Sequence, residues 1–349
     1  MTFSPCAAPL ALLRARTRGV PESTLSRRGR KRILVALASA MSLLPISAQS
    51  DPAARLVRIG ALAPPVFISP EQGLREGLNE LGYIEGKNLT IERRLADTAD
   101  GLRQGASELV RSKVDVIVAF GTSAASAALS TTSIIPVVYI SGDPVGAGLA
   151  TNLARPGGNA TGVSTLSTQL MPKRLQLLQQ VAPRMRRVIL LGNPSSTLHA
   201  GQLEELRNAG GKLRIQVIAV DARNREELTA GLARIQRGAA DAFVLSSDVL
   251  FLGNKERIAA AVAKAKLPAI FPWRDYHDAN VLMSYGGNPK EFGRLAAAYV
   301  DRILKGAKPG DLPIEQVSKY ELVIDLRVAR KLGIKVPQDL LLRADEVIQ

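Results

Sequence analysis

From Leu56 onward, short apolar runs alternate with stretches whose apolar residues recur every three or four positions, the pattern of strand followed by helix. Leu56 to Leu62 reads as a first strand ending in Ala63-Pro64-Pro65. Leu74, Leu78 and Leu81 then mark a helix, with Gly82 where a left-handed C-terminal cap belongs. Asn88 to Glu92 predicts a second strand, and Leu102, Ala106, Leu109 and Val110 a second helix. Val114 to Phe120 is apolar apart from Asp115, as suits a strand covered on both faces, and Gly121-Thr122-Ser123 opens an alanine-rich helix to Leu129. The fourth strand, Pro136 to Ile140, empties into Ser141-Gly142-Asp143-Pro144, then a glycine-rich passage, the turn Arg155 to Asn159, and a short apolar run ending at Val163.

Beyond Thr165 the series restarts. Met171, Leu175, Leu178 and Val181 line a helix face, Val188 to Leu191 is a strand ending in Gly192-Asn193-Pro194, and Leu203 to Ala209 is a helix closed by Gly210-Gly211. Leu213 to Val220 predicts a strand, Arg225 to Arg237 a helix, and Ala242 to Leu245 a strand emptying into Ser246-Ser247-Asp248. Lys255 to Lys266 is helical, Pro268 to Phe271 a strand ending at Pro272-Trp273-Arg274, and Val281 to Tyr285 another strand. Two βαβ series in tandem predict an α/β protein of two doubly wound parallel-sheet, Rossmann-like lobes. The tail departs from that order: an amphipathic helix at Lys290 to Leu304, a polar linker to Pro313, alternation from Tyr320 to Leu326 and a last helix ending before Gly333. A lone helix and a late strand must return to lobes already built, so the chain should cross between them several times.

Composition adds compartment. The formal charge is +15, and the first 50 residues supply +7 of it, eight basic residues against Glu22. The basic cluster ends at Arg32, Ile33 to Ile46 is mostly apolar, and Ser47-Ala48-Gln49-Ser50 follows. A positive segment, a short apolar segment and small residues at the cut make a secretory signal peptide, residues 1–48, and hence an exported protein. The single cysteine, Cys6, lies within the discarded segment, which leaves no disulfide framework and no thiolate metal site.

Enzyme chemistry finds little support. Gly121-Thr122-Ser123-Ala124-Ala125 approaches a nucleophile elbow, which makes a secreted serine hydrolase using Ser123 the alternative, but its last glycine is alanine and the chain has two histidines, His199 and His277. The first strand lacks the glycine fingerprint of a dinucleotide site, there is no Walker motif, and no histidine pair has metal spacing, so neither cofactor nor metal is expected. The first 50 residues show an apolar segment instead of a helix-turn-helix, and the remaining basic excess, densest at Arg184, Arg186 and Arg187, has no interleaved aromatics. It reads as a scattered, solvated surface, and no nucleic-acid partner is expected.

The runs LGYIEGKNLTIE, VDVIVAFGTSAASAA, IPVVYISGDPVGAGLATNLARPGGNATGVS, LMSYGGN and the stretch from Tyr299 to Gln349 resemble the bacterial ABC-transporter substrate-binding proteins whose better-known members bind aromatic amino acids. The resemblance spans Val57 to Gln349 and is most specific at GDPVGAGLATNLARPGGNATG. It implies a type I periplasmic-binding-protein fold, three hinge crossings near residues 164–167, 285–288 and 313–317, and a ligand held between the lobes. The lobes would then comprise residues 56–165 with 287–313 and residues 166–286 with 314–349. The implied partners are a small-molecule ligand, an ABC permease and its ATPase subunit, with membrane contact through the permease alone; a binding protein feeding a membrane receptor shares the same features.

A cleft that closes on its ligand needs polar groups at the strand ends of both lobes. In the first lobe these are Pro65, Gly121, Thr122, Ser123, Ser141 and Asp143; in the second, Asn193, Ser247, Asp248, Trp273 and Tyr285. Thr122 and Ser123 fall at a helix N-terminus that favours a carboxylate, although capping alone also explains Thr122. Asp143 or Asp248 would meet an ammonium group, and Asp143 reads equally as a turn residue. Trp273, the single tryptophan, either stacks on a flat ligand or packs near the hinge.

Overall fold

The computed structural model describes residues 56–349, so the signal-peptide segment and Cys6 lie outside the described residues. The apolar runs become strands of two sheets. The first has six strands, ordered β11-β5-β4-β3-β1-β2, and the second seven, ordered β13-β12-β10-β9-β8-β6-β7. In the first sheet β1 (Val57–Ala63) lies between β2 (Leu89–Leu95) and β3 (Val116–Phe120), and β4 (Val137–Ser141) and β5 (Ala160–Ser164) follow outward, all parallel. In the second, β6 (Arg187–Gly192) lies between β7 (Gln216–Asp221) and β8 (Ala242–Leu245), and β9 (Ala269–Phe271) pairs with the far side of β8. Winding therefore reverses direction beside β1 and beside β6, and the carboxyl ends of the strands there open into crevices.

β3 shows why the sheets are buried. All five of its residues are inaccessible because helices cover both faces: α2 (Ala99–Arg111) and α3 (Thr122–Thr131) pack together on one of them. α2 starts where Thr98 accepts a hydrogen bond from the Gly101 N–H, carries Asp100 in its first turn and Arg111 in its last, and buries Leu102, Ala106 and Leu109, so cap, dipole and apolar stripe agree.

The tail returns to both lobes. After β10 (Met283–Gly286), α9 (Pro289–Leu304) leaves the second lobe and lies against α1 (Ile68–Glu80) of the first. The two backbones touch: a Cβ on Gly73 would stand 1.8 Å from the Lys290 carbonyl oxygen, and one on Gly293 1.9 Å from that of Pro70. β11 (Glu315–Gln316) then pairs with β5, whereas β12 (Glu321–Asp325) runs antiparallel to β10. The chain thus passes between sheets after Ser164, after Gly286 and after Gln316. Glu315 and Gln316 sit in the first sheet rather than on the second lobe's side of the anticipated boundary at 313/314, because their pairing partner is the hinge-proximal end of β5.

Other departures have local causes. Gly210 and Gly211 lie inside α5 (His199–Leu213), which ends at Arg214 in the left-handed conformation; Gly210 is needed because a Cβ there would meet the Ile215 carbonyl oxygen at 2.6 Å. Leu213 is accordingly helical and β7 starts at Gln216. The short α7 (Val249–Leu252), held by the Asp248 cap, and β13 (Glu346–Ile348), which pairs with β12, carry too little periodicity to announce themselves. Part of the basic excess is grouped within an otherwise scattered distribution. Exposed Arg184, Arg186, Lys212, Arg214, Arg237 and Lys266 stand in the connections that lead into β6 to β9, and parallel strands bring those connections to the pole opposite the cleft. There they also face the negative ends of α5 and its neighbouring helices.

Candidate ligand cleft between the lobes

Connections leaving the carboxyl ends of the strands meet across a cleft lined by both lobes. The first lobe supplies Phe67, Phe120, Gly121 to Ser123, Ile140, Ser141 and Gly142; the second supplies Ser196, Leu198, Ser247 to Val249, Leu252, Trp273 and Asp275; Thr165 and Ser167 come from the first crossing and Phe292 from α9. The cleft encloses ≈ 700 Å³ counting the solvent at its mouth, but the interior space open to water is ≈ 60 Å³. That interior holds on the order of five waters. That space is smaller than an amino acid, which would need the two walls further apart.

The first-lobe wall is built around the start of α3. Gly121 has φ +95°, a conformation that other residues reach only with strain, and serves as an N-cap with no side-chain hydrogen bond. The first intrahelical bond of α3 runs from the Ala125 N–H to the Gly121 carbonyl, so the N–H groups of Thr122, Ser123 and Ala124 lie ahead of it. Thr122 is not the cap: its hydroxyl is 3.0 Å from that of Ser141 and accepts from the Gly142 N–H at 3.4 Å, which ties the ends of β3 and β4 together. The result is a helix N-terminus in an apolar setting, a place suited to an anion.

The second-lobe wall carries carboxylates. Asp248 Oδ1 accepts from the Leu250 N–H at 2.9 Å and from Asn193 Nδ2 at 3.2 Å. Burial nevertheless pushes the Asp248 carboxyl above its usual range, with those hydrogen bonds and Ser196 opposing the shift. Asp275 is also raised by burial, against the hydroxyl of Ser69, which donates to Asp275 Oδ2 across the cleft at 2.7 Å. Beside it Trp273 packs on Tyr276, ring centres 6.3 Å apart, and reaches across to Phe67 at 6.4 Å.

Of the residues expected at the site, Gly121, Thr122, Ser123, Ser141, Ser247, Asp248 and Trp273 line this one cleft. Four stand elsewhere. Asp143 closes its own turn, accepting from the Gly146 N–H at 2.9 Å and from Gln169 Nε2 at 3.4 Å. Asn193 stands behind Asp248 as its donor. Pro65 is exposed in a surface crevice with Arg274 and Glu346, and the Tyr285 ring lies against Tyr320 while its carbonyl accepts from Arg174. Phe67, Asp275 and Phe292 were not singled out from sequence. Phe67 and Asp275 sit two residues beyond the anticipated Pro65 and Trp273, and Phe292 carried the ordinary helical spacing of a core residue. Ser123 has no histidine in hydrogen-bond reach: His277 Nε2 is 3.0 Å from the Ser284 hydroxyl, His199 Nε2 is 3.7 Å from Asp221, and neither ring lines the cleft. Among the described residues no cluster of three or more metal-ligating side chains occurs, and no helix is long and apolar enough to cross a membrane.

Comparison with known proteins places this geometry. A tyrosine-binding protein of Clostridioides difficile (strain R20291) is 25% identical over 273 residues, 78% of each chain. A conserved domain protein from Vibrio cholerae superposes with a TM-score of 0.80 at 28% identity, covering 84% of this chain and 100% of the other. A Streptococcus pneumonia ABC domain in complex with L-Trp superposes with a TM-score of 0.78 at 24% identity, covering 84% and 99%. The fold is that of the type I periplasmic binding proteins. With residues 62–348 matched by the family model described as ABC transporter substrate binding protein, the chain belongs to that family.

Proposed function

We propose that this protein is the periplasmic solute-binding component of an ABC importer, and that it captures an aromatic amino acid between its lobes and presents it to the permease. The observation that carries the reading is the composition of one cleft: a helix N-terminus without a side-chain cap on one lobe, the half-buried, desolvated carboxyl of Asp248 on the other, and Phe67, Phe120, Trp273 and Phe292 in the walls between. A zwitterion presents a carboxylate to the first and an ammonium group to the second, so each desolvated charge finds an opposite partner. The aromatic walls suit a flat apolar side chain. The relative described as tyrosine-binding and the neighbour solved with L-Trp support the same ligand class.

In this reading the protein performs no chemistry. The ligand touches both walls in the closed form and one wall in the open form, and that difference in affinity shifts the population toward closure. Ser69 to Asp275 and Phe67 to Trp273 are the direct contacts that hold the lobes once closed.

The test is a thermal-shift panel on the mature protein, refolded to strip carried-over ligand, against amino acids, sugars, small acids and purines. A ligand at a hundred times its dissociation constant adds about 2.7 kcal/mol, a rise of several degrees in Tm for a chain of this size. Tyrosine, tryptophan and phenylalanine should produce that shift and the other classes none. A shift with sugars or purines and none with amino acids would overturn the assignment.

A further inference from the structure

Behind the second-lobe wall lies a charge that the cleft residues do not account for. Arg174, on the first helix after the hinge (α4, Met171–Val181), is fully buried, and its neighbours are carbonyls, a thioether and a hydroxyl. Its Nε donates to the Tyr285 carbonyl at 2.9 Å; Nη1 is 3.4 Å from Met171 Sδ and 3.5 Å from Ser247 Oγ, and Nη2 is 3.5 Å from the Pro272 carbonyl. No ion pair among the described residues neutralises it, and burial pulls it down to about 10, which leaves it charged at neutral pH. Two further buried polar groups of this wall lack a partner, the Tyr276 hydroxyl and Gln202 Nε2. Donors are in surplus, and a buried guanidinium without a counter-ion is costly.

Ser247 connects this surplus to the cleft. Its backbone N–H donates to Gln202 Oε1 at 3.0 Å, and its hydroxyl oxygen takes the Arg174 contact. A hydroxyl has one proton to give. With its oxygen serving as acceptor on the Arg174 side, that proton is directed into the cleft that Ser247 lines. We infer that Ser247, backed by Arg174, is a carboxylate-recognising subsite of the second lobe, so that the carboxylate of a bound amino acid is held from both lobes, by the α3 N-terminus on one side and the Ser247 hydroxyl on the other. This rests on the amino-acid reading above and extends it. The negative charge of the ligand becomes part of what closes the lobes, and Arg174 is a positioning residue acting through Ser247.

The experiment compares L-tryptophan with L-tryptophanamide, which keeps ring and ammonium and removes the negative charge. Calorimetric titration of wild type, Ser247→Ala, Arg174→Met and the double variant reads the preference for acid over amide. The subsite predicts that each single variant lowers this preference at least ten-fold, that the double variant lowers it no further than Arg174→Met, and that Arg174→Lys, which keeps the charge, retains most of it. If Arg174→Met does not fold, Ser247→Ala and Arg174→Lys carry the same comparison. Equal weakening of both ligands, leaving the preference unchanged, reduces Arg174 to a brace for the wall and overturns the inference. Wild-type protein that binds neither ligand sinks the amino-acid reading itself.

Discussion

On the proposed amino-acid reading, Asp248→Asn should abolish ligand affinity while leaving the empty fold at least as stable as before. Removing one partner of a buried charge pair costs about 2–5 kcal/mol, roughly 30-fold to several-thousand-fold in affinity. Asparagine keeps the shape and an oxygen for the Leu250 N–H, so the cap of α7 survives. The stability effect has the opposite sign. Burial raises the Asp248 carboxyl, so the folded state binds a proton more readily than the unfolded chain does. The ionised group therefore costs stability at neutral pH, and the wild type recovers that cost as pH falls through the raised value toward 3.8. The Asn variant lacks this cost and its recovery. Thermal melts of the unliganded proteins should show the variant equal to or above the wild type at pH 7 and the two converging in acid, while ligand affinity of the wild type declines over the same acid range. Asp143→Ala is the control: Asp143 closes its own turn outside the cleft lining, and its loss should leave affinity within about two-fold. A variant that binds normally, or one that melts far below the wild type, would contradict this account of Asp248.

The largest purely structural effect is expected from a single methyl group between α1 and α9. Gly73→Ala or Gly293→Ala places a Cβ under 2 Å from a carbonyl oxygen of the facing helix, and backbone atoms cannot swing aside as a flexible side chain would. Overpacking in a rigid contact costs about 3 kcal/mol or more. In a chain of this length that is a fall of about 5 °C or more in Tm. The consequence extends to binding because α9 follows the second crossing and brings Phe292 into the cleft. The same change at Gly211, where an added Cβ meets nothing within 4 Å, should be neutral or stabilising in the helix interior. Denaturation midpoints of the three variants check the ranking.

The element pattern made two lobes legible because each strand run is short, apolar and closed by a polar or glycine-bearing turn: Val116–Phe120 and Ala242–Leu245 need no tertiary information to be read. Pairing was less accessible. Glu315 and Gln316 are exposed and polar, and their membership of the first sheet depends on the outer edge of β5. The antiparallel β12 likewise follows from where the chain returns and leaves no mark on its own alternation. At the site, the rule that ligands lie beyond the carboxyl ends of strands located seven lining residues. It could not separate Asp143 from Asp248, since both follow a buried strand and a small polar residue. In the structure Asp143 closes its own turn outside the cleft lining, whereas Asp248 is part of that lining. Arg174 was invisible for a plainer reason. An arginine on a helix face in sequence is usually solvated, and its burial comes from the strand ends of β8, β9 and β10 meeting over it.

The most direct test of the central claim uses Trp273, the single tryptophan of the chain, which stands in the cleft wall between Phe67 and Tyr276. Its emission, excited selectively over tyrosine, is followed as L-tyrosine or L-phenylalanine is titrated into refolded protein. Closure of both lobes around an amino acid predicts a saturable change in Trp273 emission, abolished over the same concentrations in Asp248→Asn. An emission that stays constant while calorimetry records binding would place the ligand outside this cleft and contradict the account.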